Sequence, residues 1–232
     1  MDTGVCKLMT PEVELTTTYV TDGHGRIVST REPHASHGPL FTIIRSSTAC
    51  AWAIRNDVPG NVAEEIASLA RGEPQIGDLE TAPLHSARYL SLTGGRRGFS
   101  GPAFIFPEVL PKTSGAMLVQ DERSLERNFR GWKPGEIAAG RAPVLAIAEE
   151  GYPVSICFCA RRSEVAAAAG LETAASFRGR GFAPLVVAAW ARAVQSTGRI
   201  PLYSTAWTNV ASLAVARKLG LVAYATFWTV AE

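Results

Sequence analysis

The sequence predicts an α/β fold, because strand-like and helix-like stretches alternate through its second half. Val144–Ala148 and Val154–Ala160 are apolar runs separated by a glycine-containing turn, which predicts a β-hairpin. Phe182–Ser196 is almost entirely apolar, which is typical of a helix buried on most of its sides. Residues 170–220 follow the order strand, glycine turn, helix, strand, helix. That order is common in α/β proteins.

The composition indicates a globular protein. The chain has 232 residues, of which 47% are hydrophobic and 19% charged. This length suffices for one large domain, or for a catalytic domain with an extension. A net charge of +2 from 23 basic and 21 acidic residues argues against a dedicated nucleic-acid binder. Since we find neither a membrane-length apolar segment nor a basic-then-apolar leader, we expect a cytoplasmic protein that does not bind membranes.

The cysteines and histidines give little indication of a metal site. Cys157 and Cys159 stand two apart in an apolar run and would face one side of a strand, where core packing is favoured over metal binding. His24, His34 and His37 lie in a polar segment rich in Gly and Pro, and their spacing fits no known metal site. We therefore expect no metal.

The N-terminal half contains weaker signals. We predict a hairpin from Thr18–Val20 and Arg26–Val28, and a strand at Phe41–Ile44. A helix beginning near Asp57 and ending near Gly72 follows from apolar residues at helical spacing. The remaining expectations for this part are a helix at Leu84–Leu92, a loop at Gly94–Gly98, an edge strand at Ala103–Phe106 between two prolines, and a polar helix from Asp121 to Arg130.

The C-terminal half is easier to interpret. Val165–Thr173 and Ile200–Ala206 are predicted strands, on either side of the buried helix. Asn209–Leu219 is an amphipathic helix closed by Gly220. A final strand, or two short ones, covers Leu221–Val230.

The turn at residues 178–183, with the sequence Arg-Gly-Arg-Gly-Phe-Ala, is the clearest chemical feature. Gly179 and Gly181 carry no side chains, so their backbone N–H groups can approach a ligand closely. The helix that follows adds N–H donors without partners and a partial positive charge. Together with Arg178 and Arg180 these groups suit a phosphate or pyrophosphate.

Other phosphate motifs fit this turn less well. A Walker loop would end in Gly-Lys-Ser/Thr, and a dinucleotide fingerprint would need a third glycine where the chain has Pro184. A nucleotide-binding oxidoreductase is therefore disfavoured. Taken alone, the six residues could also form a plain tight turn into a helix.

Two motifs together resemble the GNAT N-acetyltransferases. Arg178-x-x-Gly181-x-Ala183 resembles the acyl-CoA signature of that family. About thirty residues later, Asn209, Ser212 and the run Lys218-Leu219-Gly220-Leu221 resemble its Asn-x-x-Ser/Ala…Lys-Leu-Gly-Phe helix. The resemblance covers roughly residues 135–230. It implies a mixed, mostly antiparallel sheet of GNAT type flanked by helices, with an N-terminal α/β extension.

The resemblance also implies which residues bind the cofactor, acetyl-CoA. Backbone groups of Leu171 and Thr173 would bind the pantetheine arm, and Asn209 would contact the same arm with Ser212 nearby. The pyrophosphate would lie on the turn and helix start formed by Arg178, Gly179, Arg180, Gly181, Phe182 and Ala183. Asn209 is also a favoured helix N-cap, and the two roles are compatible.

The catalytic residues are less well defined. Many members of the family carry a tyrosine seven residues after the asparagine, to protonate the leaving thiolate, but here that position is Ala216. Tyr203 in the neighbouring strand is the candidate acid, and solvent is the alternative. Glu172, in the strand beside the expected thioester, is the candidate base. Glu149 and Glu150 in the hairpin turn are the alternatives.

The expected protein is thus an acyl-CoA-dependent N-acyltransferase acting on an amine of a small molecule or peptide, with a homodimer as one expected assembly. Residues 1–110 would form an arm and extension that helps build the acceptor pocket. Residues 111–232 would form the acyl-CoA-binding domain. The main alternative is a non-catalytic CoA-binding sensor or assembly module of the same fold, which the alanine at position 216 keeps open.

Overall fold

A computed structural model describes residues 10–111 and 113–232. Its helices are α1 (Pro11–Thr18), α2 (Gly60–Arg71), α3 (Ser86–Thr93), α4 (Phe182–Gln195) and α5 (Val210–Lys218). Its strands are β1 (Tyr19–Thr21), β2 (Ile27–Thr30), β3 (Phe41–Ser46), β4 (Cys50–Ile54), β5 (Arg96–Ile105), β6 (Ala116–Leu118), β7 (Leu145–Glu149), β8 (Tyr152–Arg162), β9 (Ala166–Thr173), β10 (Ile200–Ser204) and β11 (Val222–Ala231). Short 3₁₀ turns cover Glu122–Leu125 and Ala175–Phe177, and a π turn covers Ile137–Arg141.

Nine of these strands form one sheet in the order β4-β3-β11-β5-β10-β9-β8-β7-β6. The pairing between β9 and β10 is parallel, and the other neighbours pair antiparallel. The predicted α/β fold with a mixed, mostly antiparallel sheet flanked by helices is confirmed. β1 and β2 form a separate two-stranded hairpin, close to where the sequence predicts one.

Helices and a loop cover both faces of the sheet. α4 is packed through Trp190 and its neighbours against one face, which includes the buried Cys157 and Cys159. These two cysteines are core residues, as expected from the apolar run. The opposite face of β8 carries Ile156, which packs with Leu125 and residues of the loop between β6 and β7. α1 also packs on this second face.

The prediction for residues 94–106 is wrong in part: the strand is confirmed over Ala103–Ile105, but neither its edge position nor a loop that reaches Gly98 is found. The sequence indicated a loop followed by an edge strand, whereas β5 is a continuous strand in the middle of the sheet, between β11 and β10. Pro102 lacks an N–H group, yet its carbonyl still accepts a hydrogen bond from Thr205 N at 3.2 Å. A side chain on Gly98 would collide with Thr229 of β11, and one on Gly101 would collide with the backbone of Thr205. These glycines therefore mark close packing rather than a turn.

Two further predictions for less regular segments need correction. The polar helix expected from Asp121 is only the 3₁₀ turn Glu122–Leu125, whose first turn Asp121 caps by accepting from Arg123 N. α1 was not predicted, since its three threonines favour strands. It is stabilised instead by burial, which includes the side chains of Leu15 and Thr17.

The proposed division at residue 110 remains a prediction. β3, β4 and β5 precede that point, but they lie in the same sheet as β6 to β11. The N-terminal part therefore contributes strands to the sheet itself. No helix in the described segments is long and apolar enough to cross a membrane.

Glu14 of α1 has a buried carboxyl group on the face of the sheet opposite α4. It is 1% exposed and accepts a hydrogen bond from Tyr224 Oη at 3.0 Å. Burial raises the pKa of Glu14 from its ordinary value of 4.5 to about 7. A raised pKa means that the folded state holds this proton more tightly than the unfolded state, so folding is favoured at acidic pH.

We predict that the free energy of unfolding falls as the pH rises from about 4.5 to about 7. Glu14 alone should account for at most about 3 kcal/mol of this loss. Glu14→Gln should remove most of this loss, because an amide is neutral at every pH in the range. Urea unfolding between pH 5 and pH 8 measures the effect. Glu12→Gln, at an exposed position on the same helix, is the control. An unchanged pH dependence in Glu14→Gln would refute the prediction.

Candidate functional site

The parallel strands β9 and β10 separate part-way along their length. Ile200–Leu202 pairs with Ala166–Ala168, and the pairing ends there. β9 continues to Thr173 and β10 continues to Ser204. The sheet is therefore open between the C-terminal ends of these two strands.

Close contact with β5 accounts for the separation. A Cβ atom on Gly101 would lie 1.8 Å from the carbonyl oxygen of Thr205, so the chain leaving β10 can approach β5 only because residue 101 is glycine. Thr205 N donates to Pro102 O and Trp207 N donates to Ser100 O, both at 3.2 Å. These bonds hold the end of β10 to β5, away from β9.

The free edge of β9 presents backbone groups to the opening. Ala174 N donates to Val154 O of β8 at 2.9 Å, so the backbone of residue 174 faces β8. Backbone groups alternate between the two sides of a strand. The N–H and C=O groups of Leu171 and Thr173 therefore face the opening, where an extended ligand could pair with them as a further strand.

The glycine turn leads from β9 into α4. Gly179 and Gly181 have φ values of +79° and +84°, in the left-handed region that favours glycine. Gly181 is the N-cap of α4, and no side chain caps the helix. The N–H groups of Phe182 and Ala183, in the first turn, have no acceptor within the helix itself. They are available to an anion, together with the partial positive charge of the helix end.

The two arginines of the turn have different positions. Arg178 Nε donates to Thr173 O at 3.1 Å, so this side chain lies across the opening. Arg180 donates to Ser176 O at 3.2 Å, and its guanidinium carbon lies 4.8 Å from the centre of the Phe177 ring. Of the two cations, only Arg178 borders the cavity described next.

β9, the glycine turn, α4 and α5 enclose a cavity of about 500 Å3. It brings together most of the residues that the sequence singled out as cofactor-binding, with Arg180 as the exception. The lining residues are Leu171, Glu172, Thr173, Phe177, Arg178, Gly179, Gly181, Phe182, Ala183, Pro184, Asn209, Ala211, Ser212, Ala214, Val215 and Lys218. A cavity of this size and composition is typical of a small-molecule site.

The start of α5 borders the cavity through its capping residue. Asn209 Oδ1 accepts a hydrogen bond from Ser212 N at 3.1 Å, which makes Asn209 the N-cap. This bond uses only the oxygen of the side-chain amide, so its NH2 group remains able to donate to a ligand. Both roles considered for Asn209 are thus compatible with the geometry.

The cavity face of α5 includes a residue that the sequence analysis did not select. Ala211, Ala214, Val215 and Lys218 line the cavity and follow the spacing of one helix face. Starting from Ala211, this i, i+3, i+4, i+7 pattern could have pointed to Lys218. Ala216, at the position where the resemblance expects tyrosine, is 1% exposed and packs in the core beneath α4.

Tyr203 lies in the core and does not line the cavity. Its ring packs against Phe104 and Phe106, and its hydroxyl donates to the carbonyl oxygen of Ser212 at 3.2 Å. Burial raises the pKa of Tyr203 to about 12. Ser212 borders the cavity, so this one residue of α5 separates the Tyr203 hydroxyl from the cavity.

Glu172 is exposed and borders the cavity. Its neighbour Leu171 packs on the α4 side of the sheet, whereas Ile156, the partner of Glu172 across β8, packs on the opposite face. The Glu172 side chain therefore projects from the face opposite α4. Glu149 and Glu150, the alternative bases, lie at the hairpin between β7 and β8 and do not line the cavity.

The electrostatics of the cavity favour an anionic ligand. The start of α4, Arg178 and Lys218 are positive, and Glu172 is the one acidic residue in the lining. In residues 10–111 and 113–232, no group of three or more His, Cys, Asp or Glu side chains could hold a metal ion.

Comparison with known proteins finds one matching family model and several similar structures. A family model described as GNAT acetyltransferase matches residues 120–228. Comparison with curated proteins finds no match. A functionally unknown conserved protein from Staphylococcus epidermidis ATCC 12228 aligns over 97% of this chain and 98% of its own, with a TM-score of 0.53 and 9% identity.

Two solved GNAT-family acetyltransferases also align. The one from Colwellia psychrerythraea covers 78% of this chain and 76% of its own, with a TM-score of 0.50 and 14% identity. The one from Novosphingobium aromaticivorans DSM 12444 covers 59% of this chain, with a TM-score of 0.47 and 18% identity, and the chain spans 66% of its length, just under two thirds. At such identities the likeness of structure bears on the fold alone. The glycine turn, the separated strands β9 and β10, and α5 all lie within residues 120–228, the part of the chain that matches the GNAT acetyltransferase model.

Proposed function

We propose that this protein transfers an acetyl group from acetyl-CoA directly to a primary amine of a small molecule or peptide. The match of residues 120–228 to the GNAT acetyltransferase model supports acyl transfer in general. The observation that carries the proposal is the cavity, which joins an unpaired strand edge to a glycine turn and a helix N-terminus. Such a cavity matches a ligand with an extended amide-containing arm at one end and phosphates at the other.

The residues fit CoA at both ends. The backbone of Leu171 and Thr173 would pair with the two amides of the pantetheine arm, and the NH2 group of Asn209 would donate to the same arm, with Ser212 nearby. The N–H groups from Gly179 to Ala183 would hold the pyrophosphate. A Cβ at Gly179 or Gly181 would meet no atom within 4 Å, so a ligand has room to reach the backbone there.

Arg178 would have to adjust when the cofactor binds. Its Nε now donates to the carbonyl of Thr173, which a pantetheine amide would require as acceptor. The guanidinium would then be available to the pyrophosphate, to which it could donate a charge-assisted bond. Arg180, stacked on Phe177, would add to the positive potential of the turn without direct contact.

Acetyl-CoA supplies the activated acyl group. The protein positions it beside the acceptor, which accounts for a large part of the expected rate enhancement. Glu172 projects from the face opposite α4, so an acceptor amine would approach from that face and lose a proton to Glu172, directly or through one water. The N-terminal extension, whose α1 packs on that same face, would contribute to the acceptor pocket.

The leaving thiolate needs a proton, for which Tyr203 and solvent are the two sources. Tyr203 is the candidate from this chain, but an acid with a pKa of about 12 gives up its proton less readily than a thiol of pKa about 8–9. Protonation by solvent is the simpler route.

The remaining expectations are a cytoplasmic enzyme, a homodimer as one assembly, and no binding of nucleic acid or membrane.

A non-catalytic CoA-binding module remains the second candidate. It is favoured by one observation, the burial of both Ala216 and Tyr203 away from the cavity. A screen of acetyl-CoA turnover against amino acids, polyamines, aminoglycosides and peptide N-termini distinguishes the two. Release of free CoA together with a mass increase on one amine supports the enzyme. Tight CoA binding without turnover on any amine supports the module.

The first prediction for the site concerns the glycine turn. Gly181→Asp should weaken acetyl-CoA binding at least about 10-fold in calorimetric titration, because a carboxylate beside the pyrophosphate repels it. Gly198→Asp is the matched control, since Gly198 has a similar φ of +79° and lies beyond the C-terminal end of α4. It should show the same backbone strain and unchanged binding. Equal affinity in the two variants would show that the turn does not bind the cofactor.

The second prediction concerns Glu172. Glu172→Gln keeps the shape of the side chain and removes its charge, so we expect turnover to fall about 10- to 1000-fold with acetyl-CoA affinity nearly unchanged. Glu164→Gln is the control, because Glu164 is fully exposed and precedes β9 at its other end. If Glu172→Gln left both the rate and its pH profile unchanged, the base would have to be sought in Glu149, Glu150 or ordered water.

The third prediction concerns Tyr203. Tyr203→Phe should change turnover less than about 3-fold, because the hydroxyl is bonded to Ser212 O outside the cavity and is a weak acid. Steady-state kinetics with the best amine from the screen tests this. A loss of about 100-fold or more would instead identify Tyr203 as the general acid.

A further inference from the structure

Tyr224 and Glu14 form a hydrogen-bonded pair near the place where β9 and β10 separate. The last paired residues of these two strands are Ala168 and Leu202. On the face opposite α4, Tyr224 packs against the buried cluster that contains both of them. The Tyr224 hydroxyl donates to the buried Glu14 carboxyl at 3.0 Å. In the described part of the chain, no cation forms an ion pair with that carboxyl.

A β-bulge in β11 places Tyr224 on this face. Ala223 pairs with Phe104 and Ala225 pairs with Ala103, which are adjacent residues of β5. Tyr224 is therefore an extra residue between two paired ones. Bulges often occur next to active sites, where they redirect a side chain. Here the bulge leaves Tyr224 and Ala225 both on the face opposite α4, where the Tyr224 hydroxyl reaches α1.

The acyl group of bound acetyl-CoA would lie toward this pair. In the proposed binding mode the phosphates lie on the glycine turn, and the arm pairs first with Thr173 and then with Leu171 as it runs along β9. Its acyl end therefore points toward Ala168, where β9 and β10 are paired. Glu172 lies ~13 Å from Ala168 at the usual rise of a strand. Glu172 would thus meet an amine at the entrance, whereas Tyr224 lies toward the acyl end.

An ammonium acceptor loses two protons when it becomes an amide. The first leaves before the attack and can pass to Glu172. The second leaves the nitrogen after the N–C bond has formed, while the C–S bond breaks and its electron pair goes to sulfur. We propose that the Tyr224 oxygen accepts this second proton and passes its own hydroxyl proton to the Glu14 carboxylate, which later releases it to solvent. This inference rests on the proposed function, because it assumes that an amine and acetyl-CoA meet at this site.

A purely structural role is the competing explanation, because the hydrogen bond between Tyr224 and Glu14 also joins α1 to β11. The pH dependence of the rate separates the two explanations. Burial raises the pKa of Glu14 to about 7, and its carboxyl can take up a proton only when it is ionised. The other titratable and charged side chains around α1 are Glu12, Tyr19, Arg31, Arg161 with its partner Glu32, and Arg55 with its partners Asp57 and Glu232.

The test measures kcat/KM between pH 5 and pH 9, with the amine that reacts best in the screen of acceptors. An alkylammonium titrates near pH 10, so its own ionisation raises log kcat/KM steadily over this range. The wild-type protein should show a steeper rise below about pH 7 and a break there, because Glu14 must first lose its proton. Glu14→Gln and Tyr224→Phe should both lose the break, and kcat/KM should fall about 100-fold or more at pH 8.

Glu12→Gln is the matched control, since Glu12 is an exposed carboxyl on the same helix, and it should keep both the break and the rate. The affinity for acetyl-CoA, measured by calorimetry, should be unchanged in all three variants. The inference would be overturned by a wild-type profile without the break, by a break that persists in Glu14→Gln, or by a Tyr224→Phe variant with the wild-type rate. It would equally be overturned if the variants lost thermal stability with the pH profile intact. If the wild-type protein acetylated no amine in the screen, the proposed function would itself fail.

Discussion

The candidate site depends on one close approach between backbone segments, where the chain after β10 passes over Gly101 of β5. With any side chain at residue 101, the carbonyl of Thr205 could not lie where it does. The end of β10 is therefore held to β5, while β9 remains hydrogen-bonded to β8 as far as Ala174. β9 stays paired with β8, and β10 stays paired with β5, but β9 and β10 lose their pairing with each other. The sheet therefore has an unpaired strand edge in its interior.

That edge brings different donors to one cavity. An ordinary sheet edge offers backbone groups at the border of the molecule, where they attract other chains. Here the edge of β9 lies inside the sheet and is followed directly by the glycine turn and α4. Strand-type hydrogen bonding and the anion-binding end of a helix thus meet within a few residues. Neither element needs a charged side chain for this, which explains why backbone geometry dominates the site.

The segments with strong local signals could be predicted from sequence. The turn at residues 178–183 and α4 follow from glycines and apolar residues that act over a few positions, and the structure has them where expected. The resemblance added the order of the motifs and the mixed sheet. The first part of β5 and its central place in the sheet could not be predicted, because Gly98, Gly101 and Pro102 are turn residues by local rules and become strand residues only beside β10 and β11. Lys218 was missed because the motif pointed to Asn209 and Ser212, whereas the helical spacing that includes Lys218 starts from Ala211.

The position of β5 also affects how the molecule folds. Thr226 of β11 bonds to Gly101 of β5, from which it is separated by 125 residues in sequence. β10, on the other side of β5, is also distant from it in sequence. Such non-local pairings raise the contact order, and their loop-closure entropy has to be overcome before the contacts add stability. The sheet is continuous only because β5, from the N-terminal half, lies between two strands of the C-terminal half. The separation of β9 from β10 at the cavity therefore depends on contacts between parts of the chain that are distant in sequence.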